Sequence, residues 1–310
     1  MNTRAVHRSR PSTASAGAPG NADDAVRDRA ALPAAGFKSF AFSDADYRRL
    51  QKMIFDYAGI SLNSNKKPMA YSRLTKRLRQ LEVATFSDYL DFVESSGDDE
   101  HVRFINALTT NLTSFFREAH HFPILVEHLQ AMAAPTPLVV WSAACSTGEE
   151  PYSIAMAVIE AFPAGAPPVR IIASDLDTEA LATAARGVYP MEKLESLSPQ
   201  RLKNFFLKGT GAQAGFARIR PEVQRMVEFR PLNLHEGQWH IEGPLTAIFC
   251  RNVMIYFNKE TQAKILARFQ PLLRPSGLLF AGHSENFFYN AGDIFRNRGK
   301  TVYELAAGQA

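Results

Sequence analysis

Apolar residues follow two different patterns along the chain. From Phe37 to about Thr109 they recur at three- and four-residue spacings. From Leu138 onward, short continuous apolar runs alternate with amphipathic stretches. In the first part, Ser43 is placed to cap a helix whose Tyr47, Leu50, Met53, Ile54 and Tyr57 share one face, and Gly59 ends it. A second helix is predicted from about Pro68 to Leu81, and a third over Phe86 to Ser95. A fourth, His101 to Thr109, is expected to be capped by Asp98-Asp99-Glu100. Asn111 to Phe122 reads as a linker opening into a long helix that runs to about Met132. The prolines between Ala131 and Pro137 mark entry into the second part.

There the runs Leu138–Trp141, Val169–Ser174, Val227–Leu232, Leu245–Cys250 and Gly277–Ala281 predict strands, with Thr301–Leu305 as a closing antiparallel one. Helices beginning near Pro151, spanning Thr178 to Arg186 up to Gly187, and spanning Lys259 to Leu273 separate them. Strand–helix alternation of this kind predicts an α/β fold on a parallel sheet. Pro190 to Arg225 interrupts it with a short helix (Ser198 to Phe206), Gly209-Thr210-Gly211, Gly215 and β-like pieces. A structureless loop of that length is rare in a compact domain, so residues 190–226 are expected to form a small inserted subdomain.

Composition narrows the class. The 310 residues suit two modest domains, and 46% hydrophobic content is ordinary for a globular protein. No apolar run approaches the roughly 20 residues of a membrane helix, and the N-terminus has no apolar signal region. Residues 1–36 are poor in large apolar side chains and are expected to be a disordered tail, with a second short tail at 306–310. Cys145 and Cys250 each end a predicted strand without a metal-ligand neighbour, which argues against a disulfide framework and for a reducing cytoplasm. The adjacent His120 and His121 point in different directions on a helix, so no metal site is expected. A net charge of +4 does not by itself imply nucleic acid. The basic residues Arg73, Lys76, Arg77 and Arg79 are concentrated on one helix, either as a solvated face or as a dock for an acidic partner.

The candidate chemistry lies at the strand ends, where open α/β sheets bind ligands. The loop Ser142-Ala143-Ala144-Cys145-Ser146-Thr147-Gly148 joins the first strand to its helix. One glycine is too few for a dinucleotide fingerprint, and no lysine follows it as in a phosphate-binding loop. Glu149 and Glu150 stand where a pyrophosphate would sit, which suits a cationic or hydroxyl-rich ligand better. Asp175 ends the second strand and is placed to accept both hydroxyls of a ribose, while Asp177 is placed to cap the next helix. Asn233, Arg251 and Asn252 complete the polar strand ends.

Five strings, NLTSFFREAHHF, SAACSTGEEPYS, ASDLDTEAL, IFCRNVMIYF and LLFAGHSENF, occur in this order, and the chain from about Phe40 to Leu305 resembles the CheR-type chemotaxis receptor methyltransferases. The resemblance implies a helical domain over residues 37–110, a linker and helix over 111–137, and a Rossmann-like class I methyltransferase domain over 138–305 with a small antiparallel β-subdomain inserted. It implies methyl transfer from S-adenosylmethionine to glutamate side chains of chemoreceptors, leaving S-adenosylhomocysteine. Carried over by motif, the cofactor residues are Asn111, Thr113, Arg117, Glu150, Asp175, Asn233, Leu234, Arg251 and Asn252, with Arg117 and Tyr256 nearest the transferred methyl. Arg73, Lys76, Arg77 and Arg79 become the expected seat of the receptor's acidic helical bundle, and the β-subdomain a seat for a receptor C-terminal peptide. A monomer without membrane insertion is implied. A catalytically silent receptor-binding protein of the same fold is the alternative, against which the intact Arg117, Asp175, Asn252 and Tyr256 argue. A nucleic-acid methyltransferase is disfavoured by the absence of an N/D-P-P-Y motif and by charge confined to one helix.

Overall fold

Four helices open the part of the chain described by the computed structural model, which covers residues 39–132, 138–162, 169–287 and 291–306. They are α1 (Asp44–Ala58), α2 (Lys67–Gln80), α3 (Phe86–Ser95) and α4 (Asp98–Leu108). The expected tail over 1–36 lies outside the described residues, as does most of the one over 306–310. α1 starts in a capping box, with Ser43 Oγ accepting from the Asp46 N–H at 3.0 Å and the Asp46 carboxylate accepting from the Ser43 N–H at 2.9 Å. It ends at Gly59 with φ +69°, a left-handed cap that glycine adopts without strain. The apolar faces meet in a core that includes Leu50, Ile54, Leu74, Leu78, Phe86 and Phe104.

Two expectations change here. The cap of α4 is Gly97, which makes no side-chain bond. Glu100 instead turns inward, where Arg77 donates to it at 2.8 and 2.5 Å and the Tyr89 hydroxyl at 3.1 Å. The long helix from the linker is also shorter than its pattern suggests. Phe116 and Glu118 hold φ of +51° and +54°, which a right-handed helix cannot contain, so α5 runs only from His121 to Ala131.

The α/β part begins with β1 (Leu138–Ser142), α6 (Glu149–Ala161), β2 (Val169–Asp175) and α7 (Thr178–Arg186). The insertion follows: β3 (Val188–Pro190), α8 (Pro199–Phe205), β4 (Phe206–Lys208), β5 (Phe216–Ile219) and α9 (Pro221–Gln224). Its strands form an antiparallel sheet in the order β3-β5-β4. The chain then returns through β6 (Val227–Pro231), β7 (Leu245–Cys250), α10 (Lys259–Phe269), β8 (Leu273–Ala281), β9 (Phe295–Gly299) and β10 (Val302–Leu305). The main sheet has the order β6-β2-β1-β7-β8-β10-β9, parallel from β6 to β8, with β10 antiparallel to both its neighbours. β9 has no counterpart in the sequence reading because only Phe295 of its FRNRG is buried, as on a polar edge strand. Both faces are covered, one by a core including Ile154, Val158 and Phe249, the other by one including Trp141, Leu266 and Phe269.

The order reverses at β1, with β2 and β6 on one side and β7 and β8 on the other. This leaves a crevice at the carboxyl ends of the strands. The helical domain leans over it. The Ser61 N–H donates to the Tyr256 carbonyl at 2.8 Å, Asn233 Nδ2 to the Tyr57 carbonyl at 2.7 Å, and Thr109 Oγ1 to Asp177 at 2.8 Å. Among the described residues no helix is long and apolar enough to cross a membrane.

Candidate active site

The crevice is a cleft of about 460 Å³. Its lining includes Asn111, Thr113 and Arg117 from the linker, Glu150 and Asp175 from the first two βα units, and Asn233, Leu234, Arg251, Asn252 and Tyr256 from the later strand ends. All ten of these residues were singled out in the sequence, and they share one cavity. The floor is the small-residue loop after β1. Gly148 holds φ +94°, and a Cβ there would meet Ala184 Cβ at 2.8 Å and Tyr189 Oη at 2.9 Å. Only glycine lets the loop lie this close to α7.

Asp175 is set by backbone donors. Its carboxylate accepts from the Ser146 N–H at 2.7 Å and the Asp177 N–H at 2.8 Å, one on each oxygen. Burial pushes its pKa up to about 6, against the lowering effect of those two bonds. Each oxygen keeps a further acceptor site. Asp177 caps α7 through the Glu179 and Ala180 N–H groups, both at 3.0 Å, and takes Asn111 Nδ2 at 2.7 Å on its other oxygen. Asn111 thus reaches the cleft with its amide already engaged. Asn233 is similar: it accepts from the His235 N–H at 2.9 Å while donating to Tyr57.

Glu150 does not stand free to meet a cation. It accepts from Ser142 Oγ at 2.7 Å and from Arg251 Nη1 at 3.1 Å, and burial still pushes its pKa up. The Arg251 side chain is 1% exposed and lies between Glu150 and Glu118, whose Oε2 is 3.4 Å from Nη2. Its Nη2 also donates to the Arg117 carbonyl. Burial alone would raise the pKa of Glu118, but the His283 N–H and the Arg251 charge hold it below the usual carboxylate range. The Arg117 guanidinium bonds the Leu112 carbonyl at 2.9 Å, and the side chain is half-buried in the cleft wall.

Two residues that the sequence reading left without a role hold this arrangement from behind. One is Glu118. The other is Glu285, 5% exposed, whose carboxylate accepts from the N–H groups of Asn252, Met254 and Gly282 at 2.9, 2.8 and 2.6 Å. These bonds tie down the loop from Arg251 to Tyr256, in which Asn252 holds φ +59°. Four non-glycine residues with positive φ, Phe116, Glu118, Ser146 and Asn252, lie in the segments that build the cleft. Glu285 lies within the string LLFAGHSENF, but only its neighbours in space reveal what it does.

The basic helix is corrected by its partners. Arg73 donates to the Leu108 carbonyl at 3.0 Å and to Thr110 Oγ1 at 3.2 Å, fastening α2 to the linker. Arg77 is committed to Glu100. Lys76 and Arg79 remain exposed. On the helix alone these side chains form a basic stripe, whereas in the fold two of the guanidinium groups reach backbone and carboxylate on α4. The histidines serve packing: His120 and His121 both bond the Lys300 carbonyl, at 3.2 and 3.0 Å, and burial pushes His121 down to about 4. Among the described residues no group of acids, histidines or cysteines is arranged for a metal. Cys145 and Cys250 are free and buried, and burial pushes both thiols up.

With this geometry in place, comparison with known proteins is direct. The sequence model of the CheR methyltransferase all-alpha domain matches residues 45–109, and that of the CheR methyltransferase SAM binding domain matches residues 111–303. The chain is 52% identical over 271 residues to a chemotaxis protein methyltransferase of Salmonella typhimurium, covering 87% of this chain and 93% of that protein. It is 50% identical over 267 residues to the one of Escherichia coli, covering 86% and 92%. Against chemotaxis protein methyltransferase 2 of Pseudomonas aeruginosa it is 48% identical over 275 residues, covering 88% and 98%. The two family models and these relatives agree: the chain belongs to the CheR methyltransferases, S-adenosylmethionine-dependent enzymes of chemotaxis.

Proposed function

We propose that the chain transfers a methyl group from S-adenosylmethionine to glutamate side-chain carboxylates of chemoreceptors, forming glutamate methyl esters and S-adenosylhomocysteine in the cytoplasm. One observation carries the reading. Arg117 and Tyr256, far apart in sequence, line the same cleft as the residues expected to bind the cofactor. The cleft fits that cofactor in kind: its volume is in the range of small-molecule sites, and Asp175 has acceptor sites to spare for a ribose. Glu150 and Arg251 face the amino-acid end, and Asn233 and Leu234 the adenine.

S-adenosylmethionine supplies a methyl group on a sulfonium, open to attack by an ionised carboxylate. A glutamate with a reference pKa of about 4.3 is already ionised at neutral pH, so the chain need not supply a base. Its work is alignment, worth several of the ~7–11 kcal/mol available to well-oriented reactants. Arg117, steadied on the Leu112 carbonyl, holds the incoming carboxylate through its guanidinium fork. Tyr256 offers a hydroxyl to that carboxylate or a ring face to an onium group.

Lys76 and Arg79, with Lys66 at the cleft, attract the acidic surface of the receptor bundle, while Arg73 and Arg77 keep the platform in shape. A receptor tail peptide adds to the small sheet. Leu207 and Phe216 support this, since both are exposed and the β4–β5 register puts them on one face. The deciding experiment is methylation of a receptor cytoplasmic fragment with radiolabelled S-adenosylmethionine, with and without the receptor's tail. Base-labile methyl ester on the receptor supports the reading. Cofactor binding without ester leaves the silent receptor-binding alternative.

A further inference from the structure

Among the described residues five large apolar side chains stand exposed: Phe92, Leu112, Leu207, Phe216 and Ile255. Two of them meet at one place. Leu112 is 80% exposed and Ile255 55% exposed, and both line the cleft, Leu112 from the linker and Ile255 from the turn after β7. Neither sits on a loose end. The Leu112 carbonyl accepts from Arg117, and the Ile255 turn is held by Glu285 and by the Ser61–Tyr256 bond. A leucine or isoleucine left in water forgoes the gain of burial, and among the described residues nothing covers these two.

Their neighbours specify what would cover them. The same cleft is lined by Arg117 and Tyr256, both half-buried, and by Lys66, which is exposed. A surface that closes on this site therefore presents an anion flanked by apolar groups. On a helix, side chains at i±3 and i±4 share a face with residue i, about 5–6 Å away. A helix that inserts a glutamate into the cleft must bring those neighbours to the rim.

We propose that Leu112 and Ile255 are specificity-determining jaws that seat the apolar side chains one helical turn from the target glutamate. They thereby select which glutamates are methylated. This inference rests on the receptor-glutamate reading. A charged side chain set directly against the leucine or isoleucine would lose hydration there without gaining a partner, so a glutamate with a charge at those positions is disfavoured.

The test uses the full chain, a receptor cytoplasmic fragment and radiolabelled S-adenosylmethionine. Leu112→Ser and Ile255→Ser are each expected to raise the KM for receptor about tenfold. Turnover at saturation should stay within about twofold and cofactor affinity by calorimetry should be unchanged, since the Arg117 bond goes to the Leu112 backbone. A second series replaces the apolar residue at i+3 or i+4 of a methylated glutamate by Asp. The wild-type enzyme should lose about tenfold in kcat/KM on that substrate, and the loss should shrink in the Ser variants. Unchanged KM in both Ser variants, or a loss on the Asp substrate that is the same in every enzyme, would overturn the jaws while leaving receptor methylation standing. If the wild-type enzyme forms no base-labile ester on the unmodified receptor, both readings fall together.

Discussion

Replacing Glu285 tests whether the reacting end of the cleft is held from behind. Its carboxylate accepts three backbone N–H groups, those of Asn252, Met254 and Gly282. Asn252 holds φ +59°, which for a residue with a Cβ costs on the order of 1 kcal/mol. The bonds to Glu285 keep that bend. Alanine at 285 removes the acceptor for all three donors. At the lower end of the cost of an unmet donor, about 1 kcal/mol each, the loss is about 3 kcal/mol. That is a large share of the roughly 5–15 kcal/mol stability of a whole domain. Glutamine keeps the size and one acceptor oxygen but turns an NH2 toward an N–H, so about 1–2 kcal/mol is lost. Glu285→Gln should therefore fold, yet bind S-adenosylmethionine more weakly and turn over at least tenfold more slowly, because Asn252 and Tyr256 ride on the loop. Denaturant unfolding, cofactor calorimetry and single-turnover methylation read the three effects separately. A Glu285→Ala variant within 1 kcal/mol of wild type, or a Glu285→Gln variant with wild-type turnover, would refute the reasoning.

Further outcomes follow from the same geometry. Arg77→Ala should lose about 3 kcal/mol of stability by leaving Glu100 buried without its cation, whereas Lys76→Ala should stay within about 0.5 kcal/mol; equal effects in urea unfolding would dispose of the distinction. Lys76→Glu should raise the receptor KM and leave cofactor binding alone, and an unchanged KM would make that part of α2 a solvated face. Asp175, with its pKa pushed up to about 6, loses its charge as pH falls through 6, so cofactor affinity should drop from pH 7 to pH 5. The stability contribution of the same group runs the other way. The folded state binds the proton more tightly than an unfolded aspartate at 3.8, so this contribution is full below that value and is lost as pH rises through 6. A flat affinity profile, or wild-type affinity in Asp175→Ala, would remove Asp175 from the ribose. Arg117→Ala should keep the fold and lose most turnover; full activity would end its positioning role.

How much could be read in advance depended on how local the determinant is. The capping box of α1 involves residues three apart, and the apolar runs of β1, β2 and β7 are continuous, so their positions followed from neighbours in sequence. The glycine-poor loop after β1, with its two acids and no lysine, pointed by composition alone to a cationic or hydroxyl-rich ligand rather than a phosphate. The motifs also named ten of the residues that line the cleft, in the linker and at or just beyond the strand ends. What they could not name was each residue's partner. Glu150 reads as a free acid and is found against Arg251; Arg73 and Arg77 read as a surface stripe and are spent on the linker and on Glu100. Glu118 and Glu285 stand inside the quoted motifs with no role read for them, yet together they hold the corner formed by Arg251 and Asn252. The polar edge strand β9 and the start of α5 at His121 escaped for a similar reason, because pairing and backbone strain are set by elements distant in the chain. Neighbours in sequence settled most of the elements, their class and the chemistry available. Tertiary structure decided which charges are neutralised, and which apolar side chains, Leu112 and Ile255 among them, remain uncovered, because long side chains and buried carboxylates take the partners that folding brings within reach.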